Sequence, residues 1–155
     1  MRFKAYQNRL EGGQITGGVR ELKLSDLSKG DVIIKVSYSS INYKDALGAT
    51  GKGKIFRRLP IVGGIDLAGV VYKSDASEFR EGDRVLATGC NIGEVFDGGY
   101  AEYASVKKES VLLLPENLSL RESMILGTAG LTAALCLHRM EQNGQHPDMG
   151  PIVVT

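Results

Sequence analysis

Apolar residues in this chain fall in short alternating runs punctuated by glycine, and only near the end do they recur at helical spacing. Phe3 to Gln7 alternates and predicts a first strand, Val19 to Leu24 a second, and the run from Asp31 through Tyr38 a third. Gly12-Gly13 and Gly17-Gly18 bracket a hairpin-like region between the first two. Ile65 to Tyr72 is nearly continuous in apolar residues and predicts a buried strand, approached in an extended conformation set by Pro60. A tight turn at Glu81-Gly82-Asp83 feeds a strand through Ala87, and a long polar, glycine-bearing loop covers residues 88–99. Tyr100 to Val106 and Val111 to Leu114 are the next strands. Ser119-Leu-Arg-Glu122 is a capping box, and Met124 to Met140 is spaced as one bent helix or two helices broken at Gly127-Thr-Ala-Gly130. Pro151-Ile-Val-Val-Thr155 has the composition of a further buried strand. The pattern describes a mainly β protein with terminal helices.

Three places interrupt it. In Ser39-Ser-Ile-Asn-Tyr-Lys-Asp-Ala-Leu47 a strand gives way to one helical turn, with Asn42 as N-cap and Asp45 three residues on. Such a stretch is either a capped crossover or a site in which polar side chains converge from a rigid base. Asp66 lies inside the apolar run, where a buried carboxylate needs backbone donors or a cation, and structural support is the expected role. Thr128 sits at the helix break, where its hydroxyl and the neighbouring N–H groups can meet a ligand, unless the break is only a kink. The loop Gly48-Ala-Thr-Gly-Lys-Gly-Lys54 superficially resembles a phosphate loop but lacks the Walker spacing and the following Ser or Thr; a mobile lid is the better reading.

Composition narrows the class. Among 155 residues, 20 are glycine, scattered rather than repeated, as a turn-rich barrel or sandwich requires. A dispersed net charge of +1 gives no reason to expect nucleic acid or an anionic membrane as partner. No apolar leader precedes the first strand, and no run is read as the ~18 apolar residues of a membrane span. Cys90 and Cys136 lie far apart, forming neither a metal pattern nor a disulfide framework, so the expected setting is reducing and cytoplasmic. Cys90 lacks a neighbouring histidine to activate it, and His138 on an amphipathic helix reads as a surface residue.

Taken in order, Asn-Tyr-x-x-Asp, Leu-Pro-x-x-x-Gly-x-Asp-x-x-Gly-x-Val, Glu-Gly-Asp-Arg-Val and Gly-Gly-Tyr-Ala-Glu-Tyr resemble the N-terminal half of medium-chain dehydrogenase/reductases. Ser40 to Leu47 and Pro60 to Val71 resemble, more narrowly, the zinc-free branch of quinone oxidoreductases and acrylyl-CoA reductases. The resemblance implies a GroES-like β-barrel over residues 1–115, connecting helices over 116–150, and at 151–155 the first strand of a Rossmann domain. No Gly-x-Gly-x-x-Gly occurs in the chain, so it reads as a fragment or a truncated product that lacks most of the dinucleotide site. Zinc-dependent relatives carry Cys where Asn42 stands and Gly-His-Glu where Gly64-Ile65-Asp66 stands, and they add a four-cysteine lobe. Asn and Ile are not zinc ligands, so no metal is expected.

For the intact enzyme, the resemblance implies NADPH-dependent hydride transfer to an activated C=C of an enoyl-CoA such as acrylyl-CoA, or to an enone or quinone. Tyr43 is implied as a phenolic donor with a flat face beside the nicotinamide. Asn42 would orient the carboxamide or the substrate carbonyl, Asp45 would hold Lys44 or backbone donors, and Thr128 would lie near the nicotinamide. The proton donor is left open between Tyr43 and solvent. Relatives often dimerise, so a homodimer is one expectation. The competing class is a non-catalytic barrel module that acts by binding through the helix at 124–140 and the strand at 152–155.

Overall fold

The structure, a computed structural model, describes residues 1–154; Thr155 lies outside the described residues. Strands β1 (Arg2–Glu11) and β2 (Gln14–Lys23) form a hairpin whose ladder runs from Arg2↔Lys23 to Glu11↔Gln14. Its two-residue turn is Gly12-Gly13, both at positive φ (58° and 81°), the conformation a tight hairpin with right-handed strand twist demands. Both strands are longer than the side-chain alternation predicts, and Gly17-Gly18 is part of β2 rather than a turn. The backbone ladder continues wherever partners face one another, whether or not the side chains alternate.

The short β4 (Ile61–Val62) pairs with β1, giving the order β2-β1-β4. A second sheet has the order β7-β3-β5-β6-β8, from β3 (Val32–Tyr38), β5 (Asp66–Ser74), β6 (Arg84–Thr88), β7 (Tyr103–Val106) and β8 (Leu112–Leu113). All its pairs are antiparallel. The sheets join where Ala5 bridges Ala101, Tyr6 N–H donates to Tyr100 C=O at 2.7 Å and Glu102 N–H donates to Lys4 C=O at 3.0 Å. The enclosed core comprises Val32, Ile34, Leu67, Val71, Val85 and Ala87 from the larger sheet, with Phe3, Ala5, Leu22 and Val62 beneath the smaller. Burying each of these larger side chains contributes about 1.5–3 kcal/mol.

A buried carboxylate knots the loops at one end. Asp97 is buried and accepts from Ser28 N–H and Oγ, Val62 N–H and the Arg58 guanidinium, all between 2.6 and 2.8 Å.

Helix α1 (Tyr43–Ala49) follows β3, and α2 (Leu120–Gln142) follows β8. The Ser119–Glu122 box is formed in both directions, with Glu122 N–H donating to Ser119 Oγ at 3.1 Å and Ser119 N–H to Glu122 Oε2 at 2.9 Å. Gly127 interrupts α2 at φ 50°, ψ −160°, so the sequence-predicted break is real. One expectation needs correcting. By length and composition α2 is apolar enough to cross a membrane, with mean hydropathy 1.2 over its best window, because Ala, Leu and Ile outweigh its sparse charges. The break nevertheless splits it into two shorter pieces, the first buried against the barrel at Ser123, Met124 and Gly127. The strand expected at 151–155 is not formed over residues 151–154: these pair with no other strand among the described residues, and an extended segment without a partner has no ladder to stabilise it.

Candidate functional site

The centre of the site is the carboxylate of Asp66, the first residue of β5 and fully buried. Its Oδ2 accepts from Ser40 Oγ (2.5 Å), Asn42 Nδ2 (2.9 Å) and Thr128 N–H (3.0 Å), and its Oδ1 from Thr128 Oγ1 (2.5 Å). All four partners are neutral, so the charge is met by converging hydrogen bonds rather than by a cation. One side chain thereby ties together the end of β3, the start of α1 and the break in α2. Gly127 makes this approach feasible, since a Cβ there would stand 2.8 Å from Asp66 Oδ2 and 2.9 Å from Ser40 Oγ.

Asp45 is the second buried carboxylate. Its Oδ2 accepts from Asn42 N–H at 2.9 Å, the return arm of the cap, and its Oδ1 from Ile65 N–H at 3.1 Å. It therefore fastens α1 to the residue that precedes Asp66. The expectation that Asp45 holds Lys44 is only half right. Adjacent residues on a helix point in different directions, and Lys44 pairs instead with Glu94 at 3.0 Å, leaving backbone donors to Asp45.

Asn42 and Thr128 are brought together on Asp66, whereas Tyr43 is not drawn into this network. Its side chain is 81% exposed, the first residue of α1 facing outward. Tyr100 went unnoticed in the sequence. Its hydroxyl donates to Ser40 C=O at 3.1 Å, and its ring lies over Gly63 and Gly64, where a Cβ would approach it to 3.3 and 2.7 Å. The Gly63-Gly64 pair was the available signal, because glycines at a strand mark a place where another group approaches the backbone closely.

Burial raises the Tyr100 phenol well above its ordinary value, and the nearby Asp45 and Asp66 charges push in the same direction. The folded protein thus holds this proton more tightly than the unfolded chain. The associated stability is complete below about pH 10, where the unfolded tyrosine keeps its proton, and is lost as pH rises beyond that towards the folded value. Stability of the wild type against urea should fall between about pH 10 and pH 12, and Tyr100→Phe should flatten that dependence. An unchanged slope in the variant would remove Tyr100 as its source.

Beside the network, an apolar trough of about 350 Å³ runs along α1, walled by Tyr6, Ile41, Ala46, Ala49 and Tyr100, with Asp45 at its floor. Cys90 and His138 lie outside all of this: Cys90 is exposed on its loop, and His138 contacts Gln142 at 3.0 Å on the surface of α2.

Residues 28–116 match the family model described as Alcohol dehydrogenase GroES-like domain. The acrylyl-CoA reductase AcuI of Ruegeria pomeroyi is 41% identical over 145 residues, covering 94% of this chain and 44% of that protein. Among solved structures, the YhdH oxidoreductase of Salmonella enterica in complex with NADP superposes with a TM-score of 0.93 at 45% identity, covering 97% of this chain and 46% of its own. YhfP of Bacillus subtilis, with NAD bound, gives a TM-score of 0.93 at 47% identity over the same shares. The chain therefore spans somewhat less than half the length of the relatives it matches.

Proposed function

Because the chain belongs to the alcohol dehydrogenase GroES-like domain family, we propose that it forms the barrel-side wall of an NADPH-dependent reductase acting on an activated C=C, with an enoyl thioester of the acrylyl-CoA type as substrate. The observation that carries this reading is the convergence of Asn42 and Thr128 on Asp66, with Tyr43 left free beside them.

NADP(H) fits the groups these residues leave unused. Asn42 Nδ2 is engaged by Asp66 and by Ser40 Oγ, and both donors of Thr128 are spent on Asp66. What Asn42 and Thr128 still offer are oxygen acceptors, which suit the amide N–H groups of a nicotinamide carboxamide better than a substrate carbonyl. Tyr43 presents an uncommitted hydroxyl and a flat, accessible face. When bound, NADPH supplies the hydride to the β-carbon of the substrate. The charge that develops on the thioester oxygen then needs a donor, and Tyr43 Oη, exposed beside Asn42, is the one we assign to it. Asp45 and Asp66 act as positioning residues: Asp45 fixes the start of α1, and Asp66 fixes the rotamer of Asn42 and the entry into the second part of α2. Tyr100, whose proton is held tightly, serves as a donor to Ser40 C=O and not as a base. The reaction is zinc-independent in this reading, since Asn42 and Ile65 stand where zinc relatives carry ligands.

The test is a chimera in which this chain is followed by the remaining half of Salmonella YhdH, assayed for NADPH consumption with crotonyl-CoA. Turnover is expected, and Tyr43→Phe should lower kcat about 100- to 1,000-fold with little change in NADPH affinity, the scale of losing one preorganised donor. A folded chimera that leaves NADPH untouched would overturn the assignment.

A further inference from the structure

At the far end of α1 a second, more polar hollow adjoins the apolar trough: Ala49 lines the trough and its neighbour Thr50 the hollow. Tyr6 and Leu10 share a face of β1; Tyr6 walls the trough, and Leu10 lines a hollow of about 840 Å³ together with Gln14, Ile15, Thr50 and Lys54. Within that hollow Gly51 lies against Ile15, to which an added Cβ would come within 3.7 Å. The route from Asn42 to this hollow is the length of α1, about 10 Å at 1.5 Å per residue.

The charge along that route is one-sided. Between Asp45 and Asp66 the chain has no acidic residue and four basic ones, Lys52, Lys54, Arg57 and Arg58. Arg58 is committed to Asp97, while Lys52, Lys54 and Arg57 enter no ion pair among the described residues. The nearest hairpin-tip carboxylate, Glu11, is taken by Arg20 at 3.2 Å. The arrangement is therefore a site for neutral, reacting groups, then a slender apolar trough, then a solvated mouth with uncompensated positive charge. A quinone has no group that needs the last part. A coenzyme A thioester has one: an acyl head, an arm of methylenes and amides, and a diphosphate with a 3′-phosphate at the far end.

We infer that Lys52 and Lys54, on the loop after α1, bind the phosphates of a coenzyme A thioester whose arm lies in the trough between α1 and β1. This rests on the reductase reading and selects its substrate class. The loop's positive charge steers the anionic end of the substrate, and the trough passes only the narrow arm towards Asn42 and Tyr43.

The test titrates the 155-residue chain with coenzyme A, its 3′-dephospho form and pantetheine by calorimetry, beside the double variant Lys52→Ala/Lys54→Ala. Affinity should fall in that order for the wild type and weaken with added salt. The double variant should lose about tenfold for coenzyme A, two exposed ion pairs' worth, while pantetheine binding and the unfolding midpoint stay unchanged. Absence of coenzyme A binding, equal affinity in the two proteins, or a tenfold loss for NADP+ equal to that for coenzyme A would overturn the inference. The reductase reading is judged separately, by turnover of the phosphate-free crotonyl N-acetylcysteamine thioester in the chimera. Turnover there with coenzyme A binding indifferent to the lysines sinks only the phosphate site, whereas no turnover of either thioester sinks the reading itself.

Discussion

Asp66→Leu should destabilise the protein by at least about 4 kcal/mol, a large share of the 5–15 kcal/mol that holds a domain of this size together. Leucine has the branched outline of the carboxylate but is bulkier and accepts nothing, and it strands four donors in the interior: Ser40 Oγ, Asn42 Nδ2, Thr128 N–H and Thr128 Oγ1. Each stranded donor forfeits about 1–3 kcal/mol of hydration. Asp66→Asn is the informative companion. Its amide oxygen can replace Oδ2, and its NH2 can face Thr128 Oγ1, whose hydroxyl can turn to accept. The number of hydrogen bonds then survives and only the charge assistance is lost, so about 1–2 kcal/mol is expected. Urea unfolding followed by tyrosine fluorescence, available because the chain has six Tyr and no Trp, reads both values. Equal losses for the two variants would mean that charge, and not acceptor count, is what Asp66 contributes.

Gly127→Ala should lose about 3 kcal/mol or more, although alanine is ordinarily the better helix former. Gly127 adopts φ 50°, ψ −160°, a conformation essentially reserved for glycine and worth about 1–3 kcal/mol of strain in any other residue. The added methyl would also meet Asp66 Oδ2 and Ser40 Oγ at less than 3 Å, and both atoms are already fixed by hydrogen bonds. Gly144→Ala is the control for positive φ alone: it too sits in the left-handed region (φ 78°) but in open space, so about 1 kcal/mol is expected. Combining Gly127→Ala with Asp66→Leu should cost less than the sum, because each disrupts the same network. Strict additivity would show that the two residues act apart.

The fold was readable where one periodicity dominated a segment. The core strands β3 and β5, the turn into β6, the Ser119 cap and the break in α2 all follow from apolar spacing and glycine placement. Strand lengths were not, since Gly17 and Gly18 carry no pattern and are held in β2 by backbone pairing across to Asn8 and Gln7. In the site, Asn42, Asp45, Asp66 and Thr128 each looked unusual in their own segment, but nothing local says that Asn42 and Thr128 meet on the carboxylate of Asp66. That fact belongs to the crossing of β5, α1 and α2, in which Asn42 and Thr128 lie 24 and 62 positions from Asp66 in sequence. Tyr100 escaped for the opposite reason: it looks like an ordinary strand aromatic, and only the bare backbone of Gly63-Gly64 distinguishes it. Lys44 misled because it adjoins Asp45 in sequence, whereas its partner Glu94 lies in the loop before β7.

The break at Gly127 also divides α2 in its energetics. Residues before it share the barrel's interior through Ser123 and Met124, while those after it keep Leu131, Leu135 and Leu137 about half exposed. The second piece is joined to the barrel through Thr128, and so through Asp66. In native-state hydrogen exchange, amides of the first piece should open only with the barrel as a whole, while those of the second should open in a separate, cheaper event. Asp66 would then be the point at which the molecule's cooperative unit ends.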